Sequence, residues 1–242
     1  MPGEIAVLLS VGRHPISGRE RMPPADASAL ELALRCDANP LAIHAGDPAS
    51  PALRDYLGMG LEHLYVAGPI GPDADAVPAI LSFLMQRKPR LVLCGMRSEC
   101  GEASGMLPYL VAAGMGAPLV ADVAMLESAD ADVRLSQARP GGRRRRLAAV
   151  LPAVLTVGRA GPKPRQSAFG KAKRGQILVV PASAPADVER LGWDRRPARL
   201  RPPKLRRGSE TKADAQALTG LSPQEAAERL HDFLVEHGVI AT

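Results

Sequence analysis

Aromatic residues are scarce. They make up 3% of the 242 residues, as one Trp, three Tyr and three Phe. The core must be aliphatic, and a stacking platform for single-stranded nucleic acid is not expected. Cysteine is equally sparse. Cys36, Cys94 and Cys100 form no CxxC pair, and an odd number builds no closed disulfide framework, which points to a reducing compartment. With no His/Cys cluster beside them, no structural zinc site is expected, and the metal assignment is none. No apolar run approaches the roughly 20 residues that a bilayer crossing needs. Met1-Pro2-Gly3-Glu4 has neither the basic start nor the apolar stretch of a secretory leader. A cytoplasmic protein without direct membrane insertion is therefore expected. Catalytic signatures are missing too. There is no G-x-S-x-G, no G-x-G-x-x-G after the first strand and no P-loop, so no catalytic residue is assigned.

What remains is an ordinary globular composition, 46% apolar and 23% charged. The length suits one large domain, or one domain with a tail. Charge is distributed unevenly. Residues 139–207 hold 19 of the 31 Lys and Arg with only three acids, Asp187, Glu189 and Asp194. This basic segment is read as a solvated face, an acidic partner's contact surface or, last, a phosphate-backbone contact. No helix-turn-helix, finger or RNA-binding motif accompanies it, so nucleic acid is not an assigned partner.

Apolar runs at 4–10, 40–44, 63–67 and 90–94 read as buried strands. Between them, 25–35, 51–58 and 74–87 read as helices, with Ser50 a candidate cap for the second. A further helix over 104–113 and a strand over 117–124 follow. This alternation predicts βαβ units and an open, mostly parallel sheet flanked by helices, an α/β fold of the Rossmann-like, adenine-nucleotide-binding kind. Segments 132–138 and 145–150 flank Gly141-Gly142 and read as a hairpin. Strands are expected at 152–157 and 176–180, with a loop over 158–174 between them. The nucleotide-binding domain is placed at 1–180. Residues 181–242 form a C-terminal extended arm and a helix that opens on the capping box Ser222-Pro223-Gln224-Glu225 and stops at Gly238.

Ligands of open parallel sheets sit at the carboxyl ends of strands. Three such ends carry a Gly that lets backbone approach a ligand: Ser10-Val11-Gly12, Ala45-Gly46 and Cys94-Gly95. The last leads through Glu99, Glu102, Ala103, Ser104 and Gly105 into a helix whose N-terminus suits a phosphate, aided by Arg97 and the Ser104 hydroxyl. Glu99 and Glu102 are better placed for ribose hydroxyls or for solvent. These twelve residues are the candidate cofactor-binding set. His44 and His63 are read as structural, and Cys94 as a small hydrophobe.

The order of these segments resembles the beta subunit of electron transfer flavoproteins. Pro24-x-Asp26-x-x-Ala29-Leu30-Glu31-x-Ala33-Leu34-Arg35 is similar to that family's first-helix motif, and Gly58-Met59-Gly60 to its turn before the third strand. Leu91-Val92-Leu93-Cys94-Gly95 with the loop to Ser104-Gly105 looks like its AMP loop. Leu151-Pro152-Ala153-Val154-Leu155-Thr156, then Pro164-Arg165 and Lys171-Ala172-Lys173-Arg174, look like the end of its signature and its docking loop. The resemblance implies a bacterial electron-carrier subunit rather than a self-contained catalyst. It would form a heterodimer with an electron transfer flavoprotein alpha subunit, bind a structural AMP and help to form the site of an FAD held mainly on alpha. Electrons would pass from a donor flavin dehydrogenase to a membrane quinone oxidoreductase. The arm and last helix would wrap around alpha. In a bifurcating member a second FAD replaces AMP.

The chain departs from the family pattern at several places. Glu102-Ala103-Ser104-Gly105 replaces an amide-rich loop, and Arg143–Arg146 replaces acidic residues by the Gly-Gly turn. The docking loop is about three residues shorter than usual, with Phe169 the candidate anchor. These departures imply a divergent member with an unusual donor. The alternative is a stand-alone adenine-nucleotide-binding protein of sensor or stress type, without flavin.

Overall fold

The computed structural model describes residues 5–71, 74–129, 133–182, 184 and 219–240. Its elements run in the order β1 (Ile5–Leu8), β2 (Gly12–Arg13), β3 (Glu20–Arg21), α1 (Pro24–Cys36), β4 (Leu41–Ala45), α2 (Ala52–Gly58), β5 (His63–Ala67), α3 (Val77–Arg87), β6 (Leu91–Gly95), α4 (Leu107–Met115) and β7 (Leu119–Val120). They continue through β8 (Val123–Ala129), β9 (Val133–Ala138), β10 (Arg144–Ala149), β11 (Ala153–Val157), α5 (Phe169–Arg174), β12 (Gln176–Val180) and α6 (Pro223–Glu236).

Seven strands form one sheet in the order β12-β5-β4-β1-β6-β11-β7. Every pairing in it is parallel. Both faces are covered, which is why the strands read as unbroken apolar runs: all residues of β1, β6 and β11 are buried. Alternate residues feed two separate cores. Ile5 and Val7 pack with Leu30, Ala33, Leu53 and Leu57 of α1 and α2. Ala6 and Leu8 pack with Ile80, Leu84, Val111 and Ala112 of α3 and α4. A second sheet, β10-β9-β8, is antiparallel and sends Val123, Val133 and Leu135 into the first of these cores. Each fully buried Val or Leu contributes about 1.5–3 kcal/mol relative to exposure. The α/β reading is thus what the chain forms.

Several expectations shift in detail. The apolar run 117–124 is not one strand. It divides at Asp122, whose φ of 55° turns the chain from β7 in the parallel sheet to β8 in the antiparallel one. The Asp122 N–H donates to Thr156 Oγ1 at 3.1 Å, which holds the turn against β11. Ser50 does not cap α2 through its side chain; its hydroxyl donates to Glu20 Oε2 at 2.7 Å. The loop at 158–174 ends in the short helix α5. The hairpin forms as expected, with Gly141 and Gly142 both at φ 73° in the turn between β9 and β10.

The chain divides into two units, Met1–Trp193 and Asp194–Thr242. In the second, α6 carries the expected capping box: Ser222 Oγ accepts from the Glu225 N–H at 3.3 Å, and Glu225 Oε2 accepts from the Ser222 N–H at 2.8 Å. None of its residues is buried. The extended arm read from 181 onward lies almost wholly outside the described residues.

Candidate functional site

Strand order reverses at β1. The chain leaves β1 through α1 to reach β4 on one side, and β6 lies on the other. A crevice opens at such a point because the connections depart in opposite directions. Here it is a cavity of about 600 Å³ at the carboxyl ends of β4, β1 and β6. Ser10, Val11, Ala45, Gly46, Cys94, Gly95, Glu102, Ala103, Ser104 and Gly105 line it, ten of the twelve candidates.

Gly12 and Glu99 are not among the lining residues, although Glu99 stands near enough to Asp26 to raise its pKa. Gly12 is in β2, and a side chain there would run into the Glu99 carboxylate. Both oxygens of Glu99 are taken by Arg21 of β3, at 2.8 Å from Nη2 and 3.2 Å from Nε. Glu99 therefore ties the loop after β6 to the β2–β3 hairpin.

The cavity floor rests on Asp26, a residue outside the candidate cofactor-binding set. It lies in the first turn of α1 and is 4% exposed. Its Oδ2 accepts from the N–H and the hydroxyl of Ser10, and its Oδ1 accepts from the Gly95 N–H at 3.1 Å. One carboxylate thus joins the ends of β1 and β6. Gly95 must be glycine here, because a Cβ would collide with that oxygen. Burial pushes the Asp26 carboxyl up to about 6, against the pull of its Ser10 and Gly95 donors. The Tyr56 hydroxyl donates to the Ser10 carbonyl at 2.8 Å and completes the support. A signal for Asp26 existed: it stands three, four and seven residues before Ala29, Leu30 and Ala33, on the buried stripe of the helix.

On the β6 side, the loop before α4 has Gly101, Ala103 and Gly105 at φ 74°, 50° and 78°. Left-handed residues at alternate positions are the kind of backbone in which successive N–H groups can converge on an anion. Met106, Leu107 and Pro108, at the N-terminal end of α4, and Arg97 border the same space. Ser104 Oγ accepts from the Met106 N–H at 3.3 Å, so its hydroxyl also shapes the turn. Cys94 and Cys100 both reach the cavity wall, and burial drives the Cys94 thiol well up. On the β4 side, His44 is 7% exposed, with Nδ1 2.9 Å from the Leu9 carbonyl.

A second polar cluster lies on the same helix, at Glu31. Burial alone would raise its carboxyl, but hydrogen bonds from Arg165 and Arg35 hold it below the ordinary range. Arg165 Nε donates at 2.7 Å and Arg35 Nε at 2.9 Å. This fixes the start of the segment leading to α5. The Ala168 N–H donates to the Gly58 carbonyl at 2.9 Å, and Arg54 Nη1 donates to the Gly175 carbonyl at 2.8 Å beyond the end of the helix. Phe169 is 83% exposed at its start.

Fold and crevice define an α/β protein of the Rossmann-like class, with an open crevice at the carboxyl ends of its central strands. A family model for the electron transfer flavoprotein domain matches residues 16–185. The chain is 40% identical over 257 aligned positions to the electron transfer flavoprotein subunit beta of Chromohalobacter salexigens, covering 98% of this chain and 96% of that one. This chain belongs to the electron transfer flavoprotein family, as a beta subunit.

Proposed function

We propose that this chain pairs with an alpha subunit to form a bacterial cytoplasmic electron carrier, and that it holds AMP in the crevice between β4, β1 and β6. The carrying observation is the anion-suited loop at 101–108, set across a cavity of about 600 Å³ from the β4 end. The Gly101–Gly105 backbone and Arg97 would hold the phosphate, and Asp26 keeps the floor rigid beneath it. FAD, held mainly on alpha and partly walled by this chain, supplies the redox chemistry when bound. This chain's part is to bind, orient and present. Electrons would come from a donor flavin dehydrogenase and leave to a membrane quinone oxidoreductase. Among the described residues, no helix is long and apolar enough to cross a membrane.

Three surfaces support the partner assignments. Phe169, exposed on a pinned segment, suits insertion into a donor's pocket. Helix α6 exposes Leu230 and Phe233, an apolar stripe that suits the alpha subunit. Arg143–Arg146, exposed just before and within the start of β10, would face an acidic partner.

The test is to purify the chain with whatever accompanies it from its host, denature it, and identify the released small molecules by mass spectrometry. One FAD, one AMP and a second polypeptide are expected. Two FADs would put a second flavin in the crevice and change the mechanism to bifurcation. An adenine nucleotide without flavin or partner would replace this reading with the stand-alone binder.

A further inference from the structure

We propose that His44 selects the base of the nucleotide, favouring a purine with an exocyclic amine over one with a carbonyl at the same position. This rests on the nucleotide reading above.

The chemistry of His44 follows from one contact. Its Nδ1 stands 2.9 Å from the Leu9 carbonyl oxygen, which can only accept. Nδ1 therefore carries the proton, and Nε2 of the neutral ring is an acceptor. Burial lowers the ring's pKa, which keeps it neutral at pH 7 against the opposing Leu9 bond and the charges of Asp47 and Glu20. Nε2 lies against Gly46, in space that a Cβ at position 46 would claim. His44 and Gly46 both line the cavity, and the absence of a side chain at Gly46 leaves this nitrogen room. Gly46 is itself pinned: its N–H donates to the Ala67 carbonyl at 3.2 Å, and its carbonyl accepts from the Ile70 N–H at 3.4 Å.

The cavity is polarised. Around 101–108 it offers backbone N–H groups, a helix N-terminus and Arg97, which suit an anion, beside the opposing carboxylate of Glu102. At the end of β4 the polar side chains are His44 and Asp47, whose free valences accept hydrogen bonds, and Asp75 before α3 lines the same cavity. The strand order β4-β1-β6 separates the two ends by two strand spacings, about 10 Å, comparable to the reach of a nucleoside monophosphate from phosphate to the far edge of its base. A ligand with its phosphate at 101–108 brings its base to His44. An exocyclic amine can donate to Nε2. A carbonyl oxygen there meets a second acceptor, and a buried site built to hydrogen-bond a group discriminates strongly against an analogue that lacks it.

The experiment uses the purified alpha–beta complex stripped of its nucleotide. Affinities of AMP, purine riboside 5′-monophosphate and IMP are measured for the wild type, His44→Leu and His44→Gln. In the wild type AMP should bind at least about tenfold tighter than IMP, with the unsubstituted purine between them. In His44→Leu the three should converge to within about threefold, while His44→Gln, which keeps an acceptor oxygen, should retain part of the preference. The wild-type comparison needs no variant to fold. Equal affinity of wild type for AMP and IMP, or an AMP preference undiminished in both variants, would overturn the assignment of His44 and leave the nucleotide reading standing. Failure of all three nucleotides to bind the wild type would overturn the nucleotide reading, and this inference with it.

Discussion

Helix α1 buries two carboxylates five residues apart, and the regions they serve differ in kind. Asp26 lies beneath the crevice and accepts only from neutral donors, two backbone N–H groups and a hydroxyl. Its charge is uncompensated, so burial raises its pKa to about 6. Glu31 lies behind the segment that presents Phe169, and its donors are two guanidinium groups, which lower its pKa. Neutral donors build a rigid floor at an electrostatic cost. Charged donors give a clasp whose strength follows pH and salt. The same helix thus joins a fixed site to a presentation surface held by ionic contacts.

The largest expected effect comes from removing the floor. Asp26→Ala leaves the Ser10 N–H, the Ser10 hydroxyl and the Gly95 N–H without their acceptor, and should cost about 3–4 kcal/mol in denaturant unfolding. It should also weaken nucleotide binding. A loss below about 1 kcal/mol would mean that the strand ends hold themselves together.

The pH dependences should run in opposite directions. The Asp26 carboxyl is raised from 3.8 to about 6, so the folded state binds the proton more tightly. Relative to Asp26→Asn, the wild type should keep its stability below about pH 4 and lose on the order of 2–3 kcal/mol as pH rises through 6. Glu31 is lowered, so its contribution should be present above the ordinary carboxylate range and fade as pH falls through the depressed value. Parallel pH curves for Asp26→Asn and Glu31→Gln, each taken against the wild type, would break the contrast.

A smaller effect is expected from Glu31→Gln, about 1–2 kcal/mol, since Arg165 is 41% exposed on its side chain and can turn to water. Faster hydrogen exchange at the Ala168 and Ala172 N–H groups should accompany it. Smallest in stability is Phe169→Ala, within about 0.5 kcal/mol, because the ring is exposed. The rate of reduction by the donor should nevertheless fall. An unchanged rate would remove Phe169 as an anchor.

The legibility of the sequence follows the same division. Parallel strands buried on both faces appear as apolar runs, so the order of β1, β4, β5 and β6 could be read directly, as could the Gly-Gly hairpin and the Ser222 cap. The β7–β8 division was hidden, because Leu119–Val123 stays largely apolar while changing sheets, and only the backbone at Asp122 reveals it. Helix α5 was hidden because six residues carry no period, and its end is held by Arg54 from a distant helix. Strand-end glycines pointed to ten cavity residues. Asp26 escaped because an acid in a first turn already has a reason to be there, complementing the helix dipole. His44 reads as structural for an equally sound reason: half of its ring is structural.

The bare stripe of α6 bears on the chain's life before assembly. Leu230 and Phe233 are each 54% exposed, and Val239 is 66% exposed nearby. A chain that carries such a surface alone is a substrate for chaperones and proteases for as long as it waits. Its lifetime in the cell would then be set by the supply of whatever covers α6, and subunit stoichiometry would be enforced by turnover of the excess, without any dedicated regulator.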